Sequence, residues 1–113
     1  MIETTQKLFK VFADKNRLRI FKLLEQRKMC VCELAYVLGV TQPSVSRHLK
    51  RMKELGLIET EQDGLWTNYF LRKGDKAQES VVCCIKSLLK QDKVIKADRQ
   101  RLKKVDRTRL CRR

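Results

Sequence analysis

A mainly helical α+β fold, with one β-hairpin after the fourth helix, is predicted by three observations. Apolar residues recur at helical spacing through most of the chain, glycines at 39 and 56 divide those stretches into short segments, and Trp66–Leu71 faces Leu57–Glu61 across a turn. The 113 residues include a single Pro, four Gly and 42% hydrophobic residues, which suits one folded domain. A chain this short buries one core, so a two-lobed enzyme with separate cofactor and substrate domains is excluded.

Leu8, Phe9 and Phe12 predict a first helix over about residues 6–13, and Asp14 either ends it or caps the next. The second helix, about 16–27, puts Leu18, Phe21 and Leu24 on one face with Ile20 and Leu23 beside them. Cys30, Val31 and Cys32 lead into a short apolar helix, Glu33–Leu38, closed by Gly39. Thr41 is an N-cap and Pro43 lies in the first turn of a helix over about 42–55. Val45, Leu49 and Met52 form its buried stripe, so Ser44, Arg47, Lys50 and Arg51 point away from the core. Leu57–Glu61 and Trp66–Leu71 are read as two strands joined through Gln62–Leu65. Asp75, with Gln78 three residues later, starts a last long helix on which Val81, Ile85 and Leu88 align. Residues 1–91 are thus expected to form the domain and 92–113 a basic C-terminal tail.

Charge narrows the choice of partner. Lys and Arg number 27 against 13 Asp and Glu, a formal net charge of +14, and 12 of those cations fall between Lys86 and Arg113 against 3 acids. A polyanion is the favoured partner, and nucleic acid is the common one. A short helix, a glycine turn and a longer helix with a basic outer face follow the order of a helix-turn-helix, and the hairpin behind them makes it a winged one. The residues expected to meet double-stranded DNA are Gln42, Ser44, Ser46 and Arg47 at base edges, His48, Lys50 and Arg51 at phosphates, and Asn68, Arg72 and Lys73 from the wing. The N-terminus is polar and the longest apolar run is Val81–Ile85, so neither a membrane span nor an export signal is expected, and the chain is placed in the cytoplasm.

Asp14-Lys15-Asn16-Arg17-Leu18-Arg19-Ile20 and Thr41-Gln42-Pro43-Ser44-Val45-Ser46-Arg47-His48-Leu49-Lys50 resemble two segments of the arsenical-resistance repressor family (ArsR/SmtB), and Cys30-Val31-Cys32-Glu33-Leu34 is similar to its metalloid-sensing motif. The resemblance runs from about Leu8 to Leu89. It implies a homodimer paired through the first and last helices. Such a repressor binds an operator with an inverted repeat and leaves it when an inducer binds.

The thiol chemistry agrees with that implication. Residues i and i+2 lie about 200° apart on a regular helix, so Cys30 and Cys32 can share one ion only where the backbone is extended, as at a helix start. Soft thiolates select thiophilic ions and disfavour Mg²⁺ or Ca²⁺. As(III), or Sb(III), takes three thiolates, and where many family sensors carry a third cysteine this chain has Ala35. The third ligand is expected from Cys84, Cys83 or Cys111, of the same chain or of the other subunit, or from a small thiol that completes the coordination. The zinc-site histidines and the N-terminal cysteines of other family sensors are missing, since His48 is the single histidine and no cysteine precedes Cys30.

Other readings make distinct predictions. Cys30 or Cys32 linked to Cys83 or Cys84 by a disulfide or polysulfide would make the chain a thiol redox sensor. An arsenate-reductase-like enzyme lacks support, because no phosphate-cradling loop accompanies any cysteine. A constitutive nucleoid-type binder would bind DNA of any sequence with a steep salt dependence.

Overall fold

The computed structural model describes residues 2–110 as α1 (Ile2–Phe12), α2 (Lys15–Gln26), α3 (Val31–Leu38), α4 (Gln42–Glu54), β1 (Ile58–Asp63), β2 (Trp66–Leu71), α5 (Lys76–Leu89), α6 (Lys93–Leu102) and α7 (Arg107–Leu110). α1 begins several residues earlier than apolar spacing alone predicts. No breaker interrupts Glu3-Thr4-Thr5, and Glu3 in the first turn favours the helix dipole.

Asp14 and Arg17 turn the first corner together. Asp14 Oδ1 accepts the Arg17 N–H at 3.0 Å and so caps α2, while Arg17 Nε and Nη2 donate back to the carbonyls of Val11 (2.6 Å) and Lys10 (3.2 Å) at the end of α1. Partial burial alone would raise the Asp14 pKa. The Arg17 N–H, with the charges of His48 and Arg17, outweighs burial and lowers it. A carboxylate with a lowered pKa stabilises the fold above its unfolded-state pKa and loses that contribution as the pH falls through the folded-state one. Asp14→Ala is therefore expected to cost about 0.5–2 kcal/mol at pH 7. Thermal unfolding of both proteins should show the difference shrinking at pH 3.

Ile20, Phe21, Leu23 and Leu24 of α2 form the centre of the core, with Phe12 edge-on to Phe21 at 5.1 Å between ring centroids. Leu34, Val37 and Leu38 of α3 pack there against Val45, Leu49 and Met52 of α4, so the predicted stripe of α4 is buried. Thr41 Oγ1 accepts from the Ser44 N–H at 3.3 Å, and Gly39 closes α3 at φ 72°. These two residues fix the angle at which α4 leaves α3.

β1 and β2 pair antiparallel from Ile58↔Leu71 to Asp63↔Trp66. The strands run further and the turn is tighter than the sequence predicts: only Gly64 and Leu65 remain in it. Gly64, at φ 60°, supplies the backbone conformation a two-residue turn demands. Met29 adds an isolated bridge to the hairpin, its N–H and carbonyl exchanging bonds with Tyr69 at 3.1 and 2.8 Å.

Part of the expected basic tail folds back on the domain. Ile95 and Leu102, two turns apart, are buried, and Asp98 between them receives two hydrogen bonds from Arg19, at 2.9 and 2.8 Å. α6 thus packs on α2 and α3, and α7 on α3. The cause is an apolar pair at a spacing of seven residues within a very basic segment. Ile2, Phe9 and Leu88 stay exposed, and α1 and α5 border an apolar groove of about 630 Å³ lined by Phe9, Phe12, Leu18, Val81, Cys84 and Leu88. Among the described residues no helix is long and apolar enough to cross a membrane.

Candidate DNA-contact face and cysteine site

α4 presents the polar face that its sequence predicts. Gln42, Ser46, Arg47, Lys50 and Arg51 are exposed. Among the described residues no carboxylate holds Arg47, Lys50 or Arg51, which leaves these cations available to an external anion. Ser44 is half-buried. His48 is also half-buried, with Nε2 4.0 Å from Asp14 Oδ1, so it joins α4 to the cap of α2.

Asn68 does not lie on the DNA-facing surface expected of it. It is 6% exposed, and its Oδ1 accepts from Arg107 Nη1 at 2.6 Å. Alternation along β2 gives it the same face as Trp66, and the Arg107 side chain of α7 lies against both. The other two wing candidates, Arg72 and Lys73 after the second strand, are exposed.

The cysteine site is built around the first turn of α3. Cys30 is the N-cap, with φ −91° and ψ 171°, so its backbone is extended while Cys32 is already helical. The i, i+2 pair therefore straddles a break in helical geometry, as joint ligation requires. Cys30 is 3% exposed and Cys32 half-buried. Cys30 and Glu33 form a capping box in which the Cys30 sulfur faces the Glu33 N–H and Glu33 Oε1 accepts the Cys30 N–H at 3.0 Å. Glu33 itself is 1% exposed, with its other oxygen 3.0 Å from Arg27 Nη2.

Of the described cysteines, Cys30, Cys32, Cys83 and Cys84, none is bound in a disulfide. Within one protomer Cys84 does not join the pair: it lines the α1–α5 groove, while α3 packs against α2, α4, α6 and α7. Cys83 lines a separate groove with Leu57, Leu71 and Arg72. Cys111 lies outside the described residues. Among those residues no three His, Cys, Asp or Glu side chains come together as a metal site. The C-terminal arginines are the feature that sequence reasoning missed. Arg101 Nη2 donates to the Tyr36 carbonyl at 2.6 Å and Arg107 reaches the wing, so part of the basic segment serves α3 and the hairpin. Their charge was legible, but their intramolecular acceptors were not.

Residues 14–60 match the family model described as "Bacterial regulatory protein, arsR family". An arsenical resistance operon repressor of Bacillus subtilis is 36% identical over 90 residues, covering 75% of this chain and 84% of that protein. The chain belongs to the ArsR family. A second arsenical resistance operon repressor, from Escherichia coli K12, is 45% identical to this ArsR-family chain over 65 residues, which span 57% of the chain and only 56% of that relative. HlyU from Vibrio cholerae superposes with a TM-score of 0.68 at 25% identity, covering 79% of this chain and 95% of that one. The family and fold are those of winged helix-turn-helix transcriptional regulators, so this ArsR-family chain is a DNA-binding regulator and not an enzyme.

Proposed function

We propose that the chain is a homodimeric repressor that binds an inverted-repeat operator through α4 and the wing, and releases it when As(III) or Sb(III) is bound by Cys30 and Cys32. The observation that carries this reading is the position of Cys30. It caps the helix that packs directly on α4, so a thiol reaction there acts on the placement of the DNA-contact face.

Each thiol that reacts with arsenous acid replaces one hydroxyl, forming a sulfur–arsenic bond and releasing one water. For Cys30 this withdraws the sulfur from its capping box. The usual coupling between effector and ligand is about 1–3 kcal/mol. The relatives named for arsenical resistance support a metalloid inducer, and the two soft donors fit one. As the third ligand we propose Cys111, because Cys84 and Cys83 line grooves that no residue of α3 borders. Counting thiols that remain reactive after arsenite treatment tests this. Arsenite is expected to protect three thiols in the unaltered chain and in Cys84→Ser, and two in Cys111→Ser. Protection lost in Cys84→Ser and kept in Cys111→Ser would reverse the assignment.

The exposed apolar residues on α1 and α5 support dimerisation through these two helices, and a two-fold dimer suits half-sites about 10–10.5 bp apart. For α4, Arg47 is placed to reach a guanine edge. Arg47→Ala is expected to lower specific affinity by about 1–3 kcal/mol with little change in non-specific binding. A fluorescence titration against specific and scrambled duplexes reads this directly.

The second reading is a thiol redox switch, favoured by four cysteines that stand outside any disulfide. It predicts release by a disulfide-forming oxidant and indifference to arsenite. The division into a domain of residues 1–91 and a tail of 92–113 is proposed in amended form: α6 and α7 belong with the domain, which then extends to Leu110.

A further inference from the structure

Arg107, the first residue of α7, holds the wing through three separate interactions. Nη1 donates to Asn68 Oδ1 at 2.6 Å, Nη2 donates to Asp63 Oδ2 at 2.7 Å, and the guanidinium lies over the Trp66 ring, 4.3 Å from its centroid. The side chain is 23% exposed, and the indole N–H of Trp66 is buried with no acceptor among the described residues. An arginine in so basic a segment would otherwise extend into water or toward a phosphate. Here Asp63 offsets its charge and its planar fork is fully directed.

The helix that begins with Arg107 also packs on α3, the helix that Cys30 caps. Glu33 of α3 accepts the Cys30 N–H. On the neighbouring residue, Met29 bridges to Tyr69 of the wing. The cap of α3 and the hairpin are therefore tied twice, once through backbone and once through the Arg107 side chain of α7.

We propose that Arg107 is a positioning residue that clasps the wing to the start of α3, so that movement of Cys30 out of its cap reaches the wing as well as α4. The clasp stands on the geometry alone, whereas its link to the inducer rests on the proposed function. Regulation then acts on two DNA-contacting elements at once. A lysine, a point charge without a fork, cannot replace both bonds.

Trp66 is the only tryptophan in the chain, so its emission reads the clasp. Without arsenite, Arg107→Gln and Arg107→Lys are expected to shift that emission to the red and to raise acrylamide quenching about two-fold, with DNA affinity about 3–10-fold weaker. With arsenite, the unaltered chain should change its Trp66 emission as DNA is released. In Arg107→Gln that change should vanish, and the arsenite-induced loss of affinity should shrink at least about three-fold. Unchanged quenching and affinity in the variants without arsenite would overturn the clasp, and so would release of DNA from the unaltered chain with Trp66 silent. If arsenite neither binds nor releases the DNA, the metalloid reading fails, and the arsenite-free comparison alone decides whether Arg107 holds the wing.

Discussion

Serine at Cys30 or Cys32 is expected to leave operator binding in place and to abolish its release by arsenite. The fold should tolerate the change, because serine is a strong N-cap and Cys30 occupies the N-cap of α3. A hydroxyl is a hard, weakly nucleophilic donor beside a thiolate, so the variants lose the ligand without losing the helix. In the unaltered chain, saturating arsenite should weaken DNA binding by about 5–150-fold, the range of ordinary allosteric coupling. In either serine variant the ratio should fall below about two-fold. Equal melting temperatures for the three proteins would confirm that the loss is chemical. Release that survives in both variants would remove these cysteines from the mechanism.

Asp98→Ala carries the largest expected effect on stability. Asp98 is 2% exposed and takes both hydrogen bonds from Arg19, whose remaining partner is Asn16 Oδ1 at 3.1 Å. The Arg19 pKa is raised, chiefly by the Asp98 hydrogen bond against the opposing effect of burial. When Asp98 is removed that support is lost, yet the guanidinium stays charged because its ordinary pKa lies far above neutral. Losing hydrogen bonds to a charged group that is only partly exposed costs about 1.5–3 kcal/mol. The joint change Arg19→Met with Asp98→Leu should recover most of that, because apolar side chains of similar volume leave no charge behind. Equilibrium urea unfolding measures both. A loss below about 1 kcal/mol for Asp98→Ala would mean that α6 does not belong to the cooperative unit.

Most of this architecture was legible because local signals and burial agreed. Thr41, Gly39 and the Val45, Leu49, Met52 stripe each specify the same α4 by different physics, and the structure keeps all three. Gly64 marked the wing, though the strands extend closer to it than the turn residues indicated. Contacts between residues distant in the chain escaped the sequence. Asp98 and Arg19 are 79 positions apart, and nothing local marks the one acid of a basic helix as buried rather than exposed. Asn68 was misplaced for the same reason: alternation along a strand gives two faces, but only the Arg107 side chain of α7 decides which is covered. The cysteine pair was legible in motif and helix position. Its third partner was not, since Ala35 stands where the family's third cysteine is common and α5 carries Cys84 to another side of the molecule.

The most direct test of the proposed mechanism is the anisotropy of a labelled duplex from upstream of the chain's own gene, titrated with protein and then with arsenite. A non-thiol reductant keeps the cysteines reduced without competing for the metalloid. Metalloid-triggered release predicts specific binding that is lost on arsenite addition and resists mild oxidants under the same reductant. Specific binding that arsenite leaves intact would contradict it.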